Sequence, residues 1–277
     1  MKTLRLVAAL VLALAGLFAA AGPAHAAGKA TISVLHGIPG ATVDVYANGS
    51  ELLKNFTPGT LTAPMMIPAG SYDIKVVKAG AGANGTAVVE AKGVTVPANA
   101  NITVVAHLSA TGMPMLTAFA NDTSASAKGA RLTVRHVAAA PAVDVRANKS
   151  VVFSDLVNPK QAMTDIAPMT VSAEVVLHGT STVAIGPATL PIKSGMNTIV
   201  YAWGSAADKN LKLAVQTVAL QGAPMPATGD GVSVSGGQGA IPAPSAGPSD
   251  SYLYLAGGLL LLAGLALASR RLVRERA

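Results

Sequence analysis

Residues 34–45 read VLHGIPGATVDV, and residues 134–145 read VRHVAAAPAVDV. The two stretches align without a gap at an offset of 100. Val34 faces Val134, His36 faces His136, Val43-Asp44-Val45 faces Val143-Asp144-Val145, and Asn48 faces Asn148. Phe56 and Leu156 keep the register. With short gaps, Ile67 then matches Ile166, Val76 matches Val175, and Thr95-Val96-Pro97 matches Thr189-Leu190-Pro191. Agreement over one long period predicts two tandem domains rather than a solenoid, whose units are far shorter. Copy one spans 29–121 and copy two 129–220, joined by a Ser/Ala/Lys/Gly linker from Thr123 to Gly129.

Each copy consists of short alternating or β-branched runs separated by turn residues. In copy one these are Thr31–His36, Thr42–Ala47, Tyr72–Lys78, Thr86–Glu90, Asn101–Leu108 and Met115–Ala120. Asn48-Gly49 and Asn84-Gly85 suit hairpin turns, because both residue types tolerate positive φ. Pro39, Pro58, Pro68 and Pro97 fall between runs, where a missing N–H costs little. The body has no amphipathic helical pattern. About seven strands in about 95 residues predict an all-β fold, two tandem immunoglobulin-like antiparallel β-sandwiches. Strand count alone also admits a small barrel.

Copy one carries Val34-Leu35-His36, Pro39, Val43-Asp44-Val45-Tyr46, Asn48-Gly49 and then Ile67-Pro68-Ala69-Gly70-Ser71-Tyr72. These residues resemble the opening motif and the mid-domain turn of the bacterial cell-surface family named domain of unknown function 4397. The resemblance extends over both copies. Copy two departs from it at Arg146, at Lys149 and at Ala167-Pro168-Met169-Thr170. It implies secretion, tandem domains and an immunoglobulin-like fold, and it implies no reaction.

The ends predict an address. Lys2 and Arg5 precede an apolar run from Leu6 to Ala21, then Gly22-Pro23 and Ala24-His25-Ala26. This is the layout of a signal peptide over 1–26, cut between Ala26 and Ala27. Tyr252 to Ala268 is an uncharged run followed by Arg270, Arg271, Arg274 and Arg276. It predicts a transmembrane helix over 252–269 with a basic cytoplasmic tail over 270–277. The Gly/Pro/Ser-rich stretch 221–251 reads as a stalk. Within it, Met225-Pro226-Ala227-Thr228-Gly229 resembles the sortase signal of Gram-positive surface proteins, which would join Thr228 to the cell wall. Met225 departs from the usual leucine, and the motif stands far from the span. The expected product is a single-pass membrane protein with its body outside, in contact with an envelope polymer or another surface protein.

The 277 residues carry a formal charge of +7, most of it at the ends. Residues 27–269 hold 14 Lys and Arg against 12 Asp and Glu, which gives no footprint for nucleic acid. Zero cysteines exclude disulfides, thiolate metal sites and cysteine nucleophiles. His36 with Asp44, and His136 with Asp144, form a repeated pair. We read it as structural, a buried imidazole bonded to backbone or to the carboxylate. One His and one Asp per copy fall short of a tight metal site, and no nucleophile accompanies them. The alternative is a small-ligand or metal-binding module built on this pair. No Gly-x-Ser-x-Gly or His-Glu-x-x-His is present. Gly80, Gly82 and Gly85 spell Gly-x-Gly-x-x-Gly, but strand-like Thr86–Glu90 follows where a dinucleotide loop needs a helix. Met65-Met66 and Met113-Pro114-Met115 read as core filling rather than Cu(I) ligands. Tyr46, Tyr72 and Trp203 are too few for a dedicated sugar-stacking face. The sequence thus predicts no enzyme, no cofactor and no bound metal.

Overall fold

The computed structural model describes residues 28–222. The signal segment, the Ala26–Ala27 cleavage point, the Met225–Gly229 motif, most of the stalk and the 252–277 anchor and tail lie outside these residues. Among the described residues there is no helix, and hence none long and apolar enough to cross a membrane.

Copy one contributes β1 (Lys29–Gly37), β2 (Val43–Ala47), β3 (Ser50–Phe56), β4 (Met65–Pro68), β5 (Gly70–Lys78), β6 (Ala87–Val96), β7 (Asn101–Leu108) and β8 (Pro114–Ala120). Copy two repeats the plan with β9 (Ala130–Ala139), β10 (Val143–Ala147), β11 (Ser150–Leu156), β12 (Gln161–Ile166), β13 (Met169–Leu177), β14 (Val183–Ile192), β15 (Met196–Ser205) and β16 (Lys212–Ala219). Each copy builds two four-stranded sheets. Their orders are β3-β2-β5-β6 and β4-β1-β7-β8 in copy one, and β11-β10-β13-β14 and β12-β9-β15-β16 in copy two.

Two strands per copy escape the sequence pattern. β3 reads SELLKNF and β4 reads MMIP, edge strands with little alternation and, in β4, a terminal proline. The sheets are also not wholly antiparallel, contrary to the expectation. β1 runs parallel to β7, and β9 parallel to β15. Alternation encodes which face is buried and carries no strand direction. The direction is set by the turn Pro97–Ala100, which delivers the chain to β7 beside the start of β1. There Asn99 N donates to Lys29 O at 2.8 Å and Thr31 N to Ala100 O at 2.8 Å.

Asn48 and Gly49, at φ 49° and 79°, make the β2–β3 hairpin turn the sequence suggested. Asn84-Gly85 is a correction. Neither residue has positive φ, and the β5–β6 loop turns instead at Gly80 and Gly82, φ 80° and 72°.

Within each copy the two sheets face one another over an apolar core. In copy one it holds Ile32, Val34, Val45, Phe56, Ile67, Tyr72, Val76 and Val104. Copy two has Leu132, Val134, Val145, Leu156, Val171, Val175 and Val200 in the corresponding places. The other face of the β1 sheet is covered as well. Leu35, Val105 and Phe119 of copy one join Val137, Ile199, Tyr201, Trp203 and Val218 of copy two in a single apolar cluster. The described residues therefore stack as four sheet layers, with the two inner sheets packed face to face across a seam between the copies.

Candidate functional site

His36 ends the inward-facing series Ile32, Val34, His36 on β1. It is fully buried and its ring stacks on Phe56 at 5.7 Å. Its Nε2 lies 2.8 Å from Ala41 O. A carbonyl only accepts, so Nε2 carries the proton, and Nδ1 accepts from Ile38 N at 3.4 Å. His136 repeats this, with Nε2 2.9 Å from Pro141 O and Nδ1 accepting from Ala138 N. Burial pushes both rings below the ordinary histidine pKa, against the carbonyl bonds that favour the charged form. Each histidine thus closes the turn that carries the chain from one sheet to the other.

Asp44 sits in the opposite sheet and shares no hydrogen bond with His36. β3 carries one extra residue against β2, since Val43 pairs with Phe56 but Val45 with Leu53. Asn55 in that bulge has φ 50° and an N–H with no ladder partner. Asp44 Oδ1 accepts it at 2.8 Å, and Oδ2 accepts Gly80 N at 2.7 Å. The Gly-x-Gly-x-x-Gly loop is therefore pinned by a carboxylate and followed by a strand. Asp144 does the same for Asp155 N at 2.9 Å in the equivalent bulge of β11. We expect Asp44→Ala to cost about 1–3 kcal/mol by stranding two N–H groups, and Asp44→Asn to cost less. Denaturant unfolding of the two variants side by side checks the order.

Copy two adds a residue the sequence reading missed. His178 Nδ1 lies 2.7 Å from Asp144 Oδ1, and Ser154 Oγ donates to the same oxygen at 3.0 Å. The Asp144 carboxyl is held well below the usual range, first by the His178 contact and then by the Asp155 N–H. The His178 ring is raised by the same carboxylate. Its contribution to stability is therefore present below about pH 6.5 and lost as the pH rises through the raised value. Copy one has Ala79 at this place, so the repeat comparison drew no attention to it. Ser154 and His178 both bind the aspartate rather than each other, which is not a nucleophile–base arrangement.

The other candidates disperse. Met65-Met66 lies on β4 and Met115 on β8, the two opposite edges of one sheet. Tyr46, Tyr72 and Trp203 are all buried, and the Tyr72 hydroxyl donates to Pro68 O at 2.8 Å. The sandwich interiors enclose voids of about 40 Å³ in copy one and about 20 Å³ in copy two. Small-molecule sites are roughly ten times larger.

The densest polar chemistry lies in the seam. Arg135 is 1% exposed. Its Nη1 donates to the Tyr201 hydroxyl at 2.6 Å, Nε to Gln161 Oε1 at 2.9 Å, and Nη2 crosses to Ala120 O at 3.1 Å. The guanidinium also lies 4.6 Å over the Phe119 ring of copy one. Tyr201 and Thr103 both donate to Gln216 Oε1, at 2.6 and 2.9 Å. Desolvation lowers the Arg135 pKa and raises that of Tyr201. Beside the seam, Arg131 joins Asp122 and Asp165, both at 2.9 Å. The Asp165 oxygens also take Ala127 N at 2.7 Å, and Ser124 O accepts from Arg131 at 3.2 Å. The predicted linker is strapped to copy two along its length.

A family model matches this chain over residues 30–146, and its description is Domain of unknown function (DUF4397). The matched stretch covers copy one from Ala30 onward and runs through β9 to Arg146 in β10 of copy two. It includes both histidine-closed turns, both aspartates and Arg135. No curated protein matches the chain.

Proposed function

We propose that this chain is an exported, membrane-tethered bacterial surface protein. In this reading its two immunoglobulin-like sandwiches, both of the matched family, act as one rigid, non-catalytic structural or adhesive module. The observation that carries the reading is the seam. An apolar cluster and a buried arginine join the copies, so the pair presents a fixed spacing between its two ends. Rigid spacing serves a presenter or an adhesin, which must hold a binding surface at a set distance from its tether. The repeated histidines and aspartates bind turns and bulges, which supports a structural role for them over a ligand or metal module built on that pair. The contacts left for an envelope polymer or another surface protein are the loops and outer sheets. The signal-like start and the apolar run with its arginine tail support a body outside the cell, in the membrane or, if Thr228 is joined, in the wall of a Gram-positive host.

Photo-crosslinking on intact cells tests this, with mass spectrometry of the adducts and of the chain's own C-terminus. We expect a recurrent protein or glycan adduct on the outer sheets or loops. An inaccessible chain, or an accessible one with no adduct at any outer position, overturns the reading.

A further inference from the structure

His107 lies at the end of β7, on the seam face, and is fully buried. Its Nδ1 is 2.8 Å from Leu108 O and its Nε2 2.8 Å from Thr117 Oγ1. The carbonyl places the proton on Nδ1, so Nε2 accepts the threonine hydroxyl and the ring is neutral. Each neighbouring element meets it without a carboxylate. β1 presents Gly37, where a Cβ would stand 3.5 Å from the His107 Cβ. β8 presents Thr117. β9 brings the Val137 backbone, and the His136 ring, on the core side of that strand, is the one charged or titratable group whose charge acts on it. The β11–β12 turn brings Asn158, whose Nδ2 bonds both Leu108 O at 2.8 Å and Ala138 O at 2.6 Å across the seam. The seam's other cation, Arg135, has no carboxylate partner either.

We propose that His107 is an acid-sensitive latch, holding the two sandwiches together while its ring is neutral and opening the seam when it is protonated. Thr117 can turn to accept from a charged ring, so hydrogen bonding does not forbid protonation. The obstacle is a second unpaired cation enclosed in the same seam, and separating the copies lets water solvate it. This goes beyond the rigid-module reading and takes from it only that the closed seam is the resting state.

The sign follows from burial. Desolvation lowers the His107 pKa to about 4 from an ordinary 6.5. The closed form therefore binds the proton less well than the open form. The open-to-closed ratio is flat above about pH 6.5 and grows about tenfold per pH unit from there to about 4. The full gain is about 300-fold. His36 and His136 share the direction but sit inside the sandwich cores, and Asp122 responds only at lower pH.

Trp203 is the only tryptophan of the chain and lies in the seam at 5% exposure, so its fluorescence reports opening without a label. The test uses the full chain in detergent micelles, following Trp203 emission and acrylamide quenching with far-UV circular dichroism from pH 7.5 to 4. We expect quenching to rise between about pH 6.5 and 4 with the strand signal unchanged, and His107→Gln to suppress that rise. A Trp203 that stays sheltered to pH 4, exposure that coincides with loss of strand signal, or an unchanged response in His107→Gln overturns the proposal. Should His107→Gln not fold, NMR titration of the wild-type imidazoles decides. His107 must take its proton over the same pH range as Trp203 exposure, and separate titrations overturn the latch. The readout is on purified chain, so it stands whether or not the surface-module reading survives.

Discussion

Arg135→Ala is expected to destabilise the two-copy body by about 3–5 kcal/mol, by opening a buried void and stranding several hydrogen-bond partners at once. The guanidinium is among the largest fully buried side chains of the described residues. Removing it strips the Tyr201 oxygen, Gln161 and Ala120 O of their donor and uncovers one face of Phe119. A control separates packing from charge. The equivalent residue in copy one is Leu35, on the same seam face, and Arg135→Leu fills most of the void while sparing the desolvation of a cation. The same acceptors stay stranded in Arg135→Leu, so only the void part of the loss is recovered and we expect this variant to cost about 1–3 kcal/mol. Denaturant unfolding followed by circular dichroism checks both. If Ala and Leu lose equal stability, the network of bonds rather than filled volume holds the seam. If neither loses stability, the seam is not where the body is held together.

The sequence made one face of β1 legible and hid the other. Ile32, Val34 and His36 alternate correctly into the copy-one core. Ser33, Leu35 and Gly37 have the opposite parity, yet Ser33 and Leu35 are buried too and Gly37 lies against Trp203. A signal was present. β7 reads NITVVAHL and β15 reads MNTIVYAWGS, nearly continuous apolar runs, which mark strands covered on both faces. β3 and β11 were harder to read. They are edge strands with exposed Glu51, Lys54 and Asp155, and their bulges break period two. The repeated His and Asp were legible because both copies keep them, and all four are buried and bonded to backbone. What the repeat could not convey is that each binds a separate turn or bulge in a separate sheet. His178, Arg135 and His107 went unread for the converse reason. Their equivalents are Ala79, Leu35 and Trp203, so nothing recurred at an offset. A seam between two copies is built from the positions where the copies differ, and a search for recurrence passes over them.

The second large effect is expected at Trp203. Its Cβ packs beside Gly37 and its indole against Gly59, where an added Cβ would lie 2.8 Å from the ring edge. Trp203→Ala should cost about 3–5 kcal/mol, the usual range for emptying a buried aromatic site. Gly59→Ala should cost about 2 kcal/mol or more, because the clash adds to backbone strain at φ +84°, where an L residue is disfavoured. The double variant distinguishes the two sources. With the indole gone the clash vanishes and only the strain at residue 59 remains. The double loss should then fall short of the additive value by about 1 kcal/mol or more. Circular dichroism must follow this cycle, since Trp203 is itself the fluorophore. Strict additivity would mean that Gly59 is needed only for its backbone angle. The predicted shortfall would mean instead that glycine stands there because a turn of copy one is pressed onto the tryptophan of copy two. Residue 59 would then be a seam residue, chosen by the partner domain rather than by the turn it belongs to.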